Sequence, residues 1–244
     1  MGVSTPQWEG AINVHDLGGL PVAGGGRTAV GRLFRSGRTE TMTTAGWVQL
    51  RADGVSTVID LRNDDERGRR ETDAVVADGA LDGLNRLERP TEDPDHVDFK
   101  QLCWPYLNTP KFYADNLRLW PERFVRIVHD IAVAPPGGIL VHCSGGRDRT
   151  GLVVMLLLQL LGVPHETIAD DYERGVRAAN ERFRVIDHPV ERYRTPEQLD
   201  AWVAETREHL LRTLDEIDAS AFLQRAGLSA RDVDAIRSRF TEGD

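Results

Sequence analysis

Two short apolar runs, each followed by a change of spacing, organise the middle of the chain. Val55-Ser56-Thr57-Val58-Ile59-Asp60-Leu61 is brief and rich in β-branched residues, which predicts a buried strand. Ahead of it, Thr43 or Thr44 caps a predicted helix running to about Asp53 and ended by Gly54. Pro135-Pro136-Gly137-Gly138 feeds a second strand, Ile139-Leu140-Val141-His142, and the segment from Cys143 to Asp148 forms the loop beyond it. A strongly apolar helix then runs from about Arg149 to Leu161 and closes at Gly162. Lys111 to Ala134 has helical spacing with a break near Pro121. Ile12 to Gly37 is rich in glycine around Leu33-Phe34 and fits short strands joined by tight turns. Those glycines lack the strand–GxGxxG–helix setting of a nucleotide loop. Glu88 to Pro110, with four prolines, predicts loop, and the mixed charges of Arg62 to Glu71 read mostly as a solvated loop or helix face.

The last third is helical. Thr195-Pro196-Glu197-Gln198 supplies an N-cap, a proline at the first helical position and a capping-box glutamine. Leu199, Trp202, Val203, Leu210, Leu214 and Ile217 then share one face, and Gly227 stops a helix ahead of a second cap at Ser229. Strands alternating with helices predict an α/β fold: a central, mainly parallel sheet flanked by helices, with a helical C-terminal region. A length of 244 residues suits one domain over 1–244, with 195–244 packed on its core.

With 40% hydrophobic residues the chain has enough apolar material for a core. Lys and Arg total 30 against 39 Asp and Glu, a net charge of −9, which argues against nucleic acid as a partner and against an anionic membrane. Any anionic ligand must therefore meet a local cationic site. Leu152 to Leu161, interrupted by Gln159, is about half a bilayer span, so no stable membrane anchor is expected. The N-terminal residues show no secretory signal, and Pro6 stands where a myristoylation pattern on Gly2 wants Ser or Thr. Two cysteines, Cys103 and Cys143, are too few for a disulfide framework and make no CxxC pair, so neither a metal nor another cofactor is expected and the compartment is read as cytoplasmic.

The chemistry concentrates in His142-Cys143-Ser144-Gly145-Gly146-Arg147-Asp148-Arg149-Thr150-Gly151. A loop between a strand end and a helix start can turn successive N–H groups inward as an anion nest, to which the helix adds its free N–H groups and positive dipole end. Gly145 and Gly146 allow the backbone its close approach, and Arg149 offers a planar two-donor fork to a phosphate. At this mouth the Cys143 thiol is favoured as thiolate, fit to attack phosphorus and form a phosphocysteine. Thr150 is placed to hydrogen-bond the sulfur, and His142 shapes the loop. Cys103 reads as a core or loop cysteine; its alternative is a redox partner that protects Cys143 in a disulfide.

The Cys-x5-Arg-Thr loop resembles that of cysteine-dependent tyrosine phosphatases, and the whole chain is similar to the atypical bacterial family of tyrosine and dual-specificity phosphatases that also hydrolyse phosphoinositides. Asn13-Val14-His15-Asp16-Leu17-Gly18-Gly19, Leu33-Phe34-Arg35-Ser36-Gly37 and Ile59-Asp60-Leu61-Arg62 match its first blocks. The loop, Gly162-Val163, Asp171-Tyr172 and Gly227-Leu228-Ser229 follow in the family's order. The resemblance implies a tyrosine-phosphatase-like fold, Cys143 as nucleophile, Arg149 as phosphate clamp and Asp148 as general acid supported by Asp60. It also implies Ser144, Gly145, Gly146, Arg147, Thr150, Asp60 and Arg62 as substrate-binding residues. Its substrates would be phosphorylated proteins or phospholipid headgroups. Conventional tyrosine phosphatases carry the acid on a Trp-Pro-Asp loop; here Trp104-Pro105-Tyr106 lacks it, leaving Asp93, Asp95 and Asp98 as fallback acids. His15 replaces a family arginine, and Arg147 replaces a lysine associated there with phosphoinositides. Family members also cover the site with helices, for which 168–194 is the candidate lid. Besides a tyrosine or dual-specificity phosphatase, the alternatives are a phosphoinositide phosphatase, a non-catalytic phosphate-binding module and a rhodanese- or arsenate-reductase-like enzyme.

Overall fold

The computed structural model describes residues 5–103, 105–186 and 190–242. The two β-branched runs lie side by side at the centre of a five-stranded sheet. They are β4 (Val55–Asp60) and β6 (Gly138–His142), in parallel register from Thr57↔Ile139 to Asp60↔His142. Around them stand β1 (His15–Asp16), β3 (Leu33–Ser36) and β5 (Asn85–Glu88), giving the order β1-β3-β6-β4-β5. β1 runs antiparallel to β3, and the other pairs are parallel, as the alternation of elements predicts. β5 alternates half-buried and exposed positions at the sheet edge, a pattern too polar for its sequence to signal a strand. Because Ser36, His142, Asp60 and Glu88 end their strands in register, the chain leaves the sheet along one edge at Gly37, Cys143, Leu61 and Arg89. The parallel arrangement thereby gathers loops from distant parts of the sequence at the carboxyl ends of the strands.

One face of the sheet is covered by α1 (Thr44–Ala52), whose N-cap Thr43 accepts from the Gly46 N–H and whose Trp47 and Leu50 pack on Phe34, Val58 and Leu140. The other face carries α5 (Asp148–Leu160). This helix is apolar all round because it is buried all round: Leu152, Leu156, Leu157 and Leu158 are fully enclosed, each worth about 2 kcal/mol of burial. Around it pack α3 (Tyr113–Leu119), α4 (Pro121–Ala132), α6 (His165–Arg182), α7 (Pro196–Glu216), α8 (Ala219–Arg225) and α9 (Ala230–Phe240). The capping boxes at Thr195 and Ser229 form as their sequences indicate. A small antiparallel pair, β2 (Arg27–Thr28) with β7 (Thr241–Glu242), ties the end of the chain to its first glycine-rich segment.

Three expectations change. Residues 88–110 are not all loop, for they contain α2 (Val97–Cys103), with Phe99 and Cys103 buried. Pro94 and Pro105 flank this helix, where proline is tolerated, instead of interrupting it. Arg62 to Glu71 is not simply solvated. Arg62 is buried, and Asp64–Glu66 forms a single 3-10 turn closed by a capping box between Asn63 and Glu66. The first half of the 168–194 candidate lid belongs to the packed helix α6, where Ile168, Asp171, Tyr172 and Val176 are buried and Asp171 ion-pairs with Arg35 of β3. Of the remainder, residues 187–189 lie outside the described residues.

Candidate active site

β6 ends at His142, α5 begins at Asp148, and the intervening loop bends around a cavity of about 400 Å³. The direction of its peptide groups is set from behind. The Arg38 N–H donates to the Ser144 carbonyl (3.0 Å), and Asn13 Nδ2 donates to the carbonyls of Gly145 (2.9 Å) and Gly146 (3.2 Å). Arg35, buried on β3, donates to the carbonyls of Gly146 (2.6 Å) and Arg147 (3.3 Å). In a trans peptide the N–H points opposite to the carbonyl, so pulling four carbonyls outward turns the N–H groups of Gly145, Gly146, Arg147 and Asp148 toward the cavity. Gly146 is the glycine this bend demands. Its φ is +67°, and a Cβ would lie 2.5 Å from the Ser36 carbonyl carbon. Gly145 needs no such freedom; a Cβ there would meet no protein atom within 4 Å.

Cys143, Ser144, Gly145, Arg147, Asp148 and Arg149 all line this cavity, while Gly146 and Thr150 stand behind it. The Thr150 hydroxyl is buried without a hydrogen-bond partner, so the structure does not contain its expected bond to sulfur. His142 is buried, its Nδ1 3.4 Å from the Cys143 carbonyl; burial and the Arg62 charge outweigh the opposing pull of Asp60 and keep its ring below the usual histidine range.

Carboxylates from distant segments hold the two loop arginines. Glu66, on the 3-10 turn, accepts both Nη1 and Nη2 of Arg149, the latter at 2.6 Å. Glu92, fully buried, lies 3.5 Å from Arg149 Nη1 and accepts the Leu107 N–H at 3.2 Å. Arg147 donates Nε to Asp148 Oδ2 (2.5 Å) and Nη2 to Glu191 Oε1 (2.6 Å). Arg147, implied by resemblance as a headgroup contact, is thus already spanned by two carboxylates. Burial pushes Glu92 up to about 7, against the pull of Arg149 and the Leu107 N–H. Burial also raises Asp148, because Arg147 shares its charge with Glu191 and the Tyr172 hydroxyl (2.6 Å to Oδ1) is neutral. A carboxyl held up in this way can keep a proton to give.

The structure sets other expected residues apart from the cavity. Asp60 and Arg62 do not line it. They form their own cluster beside His142, with Arg62 bound to both oxygens of Asp60 (2.9 and 2.7 Å) and to Glu40 (2.7 Å). Burial works to raise Asp60, but the Arg62 hydrogen bonds and the nearby cations leave it below the usual carboxylate range, so it neither binds in the cavity nor supplies a proton there. Asp93, Asp95 and Asp98 do not line the cavity either, and Asp95 is paired with Lys100. Pro105 and Tyr106 do reach it, whereas Trp104 lies outside the described residues. Cys103 is a free, buried thiol away from the cavity, pushed up to about 12 mainly by burial. His15, beside Arg35, is driven down to about 4, first by burial and then by that arginine, so it is neutral where the family's arginine would add charge.

Sequence reasoning gave no role to Asn13, Arg35, Glu66, Glu92 or Glu191. Asn13 and Arg35 did stand in matched blocks, and an arginine inside the apolar run Leu33-Phe34-Arg35 is a signal of a buried polar anchor. The glutamates carry no comparable mark. Among the described residues no group of His, Cys, Asp and Glu could hold a metal ion, and no helix is long and apolar enough to cross a membrane.

Comparison with known proteins places this geometry in context. The model of a tyrosine phosphatase family matches residues 6–242. A protein of Cupriavidus necator, named as a candidate tyrosine-protein phosphatase, is 33% identical over 174 residues, covering 66% of this chain and 59% of its own length. The triple specificity protein phosphatase PtpB of Mycobacterium tuberculosis is 28% identical, covering 93% of this chain and 96% of its own. A tyrosine-protein phosphatase of Nostoc commune is 31% identical, over 54% of this chain and 44% of its own. The chain therefore spans less than two thirds of the length of the first and third of these relatives.

Proposed function

Because the chain belongs to the tyrosine phosphatase family, we propose that it hydrolyses phosphotyrosine in proteins through a phosphocysteine intermediate. One observation carries the reading: Cys143, the Arg149 fork and the raised carboxyl of Asp148 face a single cavity beneath inward-turned N–H groups. The Cys143 sulfur attacks phosphorus while the P–O bond to the tyrosyl oxygen breaks, and Asp148 gives that oxygen its proton. Water then attacks phosphorus, the P–S bond breaks, and the Asp148 carboxylate takes the proton from the water. Arg149 and the loop N–H groups hold the equatorial oxygens throughout, a charge stabilisation that needs no reorganisation during the step.

The cavity walls favour an aromatic ester. Tyr106, Leu107, Phe183 and Ile186 line it above the loop, an apolar sleeve for a tyrosyl ring and a poor match for a polyhydroxylated inositol. That supports a phosphotyrosyl protein as partner ahead of a phospholipid headgroup, with phosphothreonine and phosphoserine as shorter, weaker occupants. Of the 168–194 candidate lid, Phe183, Ile186, Val190 and Glu191 contribute to the wall and cover the cavity in this reading. The chain works as one domain, in the cytoplasm.

The test is Cys143→Ser. Turnover of a phosphotyrosyl peptide is expected to vanish while binding of that peptide persists; continuing hydrolysis removes Cys143 from the mechanism.

A further inference from the structure

Four arginines line the cavity, and they differ in what holds them. Arg147 and Arg149 are gripped by Glu191 and Glu66. Arg70 and Arg182 are not gripped: among the described residues neither guanidinium makes an ion pair or a side-chain hydrogen bond. Arg182, the last residue of α6, is half-buried, and its charged surroundings are mostly of its own sign, with Arg38 and Arg70 nearby. The neighbouring Asp73 is chelated by Arg38 at 2.6 and 2.7 Å and accepts the Arg70 backbone N–H at 2.6 Å, without a salt bridge to the guanidinium of Arg70 or Arg182. Arg70 is exposed, but Arg182 is held partly out of water against like charges, which costs energy that an anion between the two relieves. Burial, Arg38 and Arg70 accordingly hold Arg182 below its usual range, though an arginine remains charged.

We propose that Arg70 and Arg182 form a subsite for a second anionic group of the substrate, a phosphate or carboxylate near the phosphotyrosine whose own phosphate enters the Cys143 loop. This rests on the phosphotyrosine reading and adds to it a preference for doubly charged peptides. The apolar wall next to Arg182, from Phe183 and Ile186, points to a peptide as the carrier of both charges. Asp65, exposed on the same rim, and Asp73, already paired with Arg38, oppose the subsite in sign, so the preference is what the two arginines supply over these carboxylates.

Steady-state kinetics on paired peptides test this. One peptide carries a single phosphotyrosine among neutral residues, and the other carries a second phosphorylated residue close by. The unmodified enzyme should prefer the second about tenfold in kcat/KM, mainly through KM, as expected for charge-assisted contacts to one added group. Arg70→Gln with Arg182→Gln should bring the ratio within about twofold of one, and Arg182→Lys should keep part of it. A ratio near one in the unmodified enzyme, or a preference that survives the double variant, overturns the subsite. Soluble inositol phosphates form a further arm: an Arg182-dependent preference for these with none for the diphosphorylated peptide overturns the peptide assignment and moves the subsite to lipid headgroups. Hydrolysis of para-nitrophenyl phosphate by the unmodified enzyme reports separately on the phosphatase reading. Its absence fails that reading, whereas its presence with a flat peptide ratio fails the subsite alone.

Discussion

Two aspartate–arginine–glutamate clusters flank the end of β6, and they drive their aspartates in opposite directions. In the first, Asp60 accepts the Arg62 backbone N–H (3.0 Å), its Nε (2.9 Å) and its Nη2 (2.7 Å), while Glu40 takes the far side of the same guanidinium. In the second, Asp148 accepts one Nε from Arg147 and the hydroxyl of Tyr172, and Glu191 takes the rest of that arginine. Burial works against the charged form in both. Donors outweigh it at Asp60, and burial outweighs the donors at Asp148. Composition is the same in the two clusters; donor count and depth decide which carboxyl can act as an acid.

The sharpest way to break this comparison is to neutralise each aspartate in turn. Asp148→Asn should lower kcat about 10²- to 10³-fold on an aryl phosphate with a poor leaving group, and much less on para-nitrophenyl phosphate. Asp60→Asn should leave that dependence on the leaving group as it is. Equal slowing of both substrates by Asp148→Asn would take the acid role away from it.

Glu92 behaves like Asp148, for it has one N–H donor, an arginine at 3.5 Å and no exposed side-chain surface, and burial raises it to about 7. The proton it keeps in the fold links stability to pH. Its folded value lies above the ordinary 4.5, so its contribution is fully present below about pH 4.5 and is lost as pH rises through about 7. That gap corresponds to about 3 kcal/mol. Denaturant unfolding of the native sequence and of Glu92→Gln should therefore diverge by up to about that amount between pH 4.5 and 7.5, with the variant the more stable at the alkaline end. Parallel stability curves would show Glu92 to titrate normally.

These clusters also mark the boundary of what the sequence shows. The loop, its strand and its helix are readable because they are contiguous: β-branched residues to Val141, glycine at 146, a run of leucines after Thr150. The α2 helix was hidden by prolines that turn out to flank it, and β5 by its polar alternation. Glu66 and Glu92 come from segments full of other acids, and the strand order brings them to the loop, whereas Glu191 comes from the segment after α6. Asp60 and Arg62 show the converse. A matched block gave them a place in substrate binding, yet their mutual hydrogen bonds face a different hollow from the one that holds Cys143.

The smallest expected effect concerns the two glutamates that grip arginines, Glu40 on Arg62 and Glu66 on Arg149. Burial works to raise Glu66, but the hydrogen bonds and charge of Arg149 outweigh it and hold the carboxyl below the usual range, so it is ionised at neutral pH. A phosphate that needs the Arg149 fork must compete with this carboxylate, whereas Glu40 competes with nothing that enters the cavity. Glu66→Gln keeps the size and removes the charge. Since Glu66 is partly exposed, the pair is worth about 1 kcal/mol, and vanadate should inhibit the variant about fivefold more tightly. Glu40→Gln should leave vanadate inhibition where it is. Weaker inhibition of Glu66→Gln would mean that the glutamate aims Arg149 at the phosphate more than it occupies the fork, and the two gripping glutamates would then differ only in location.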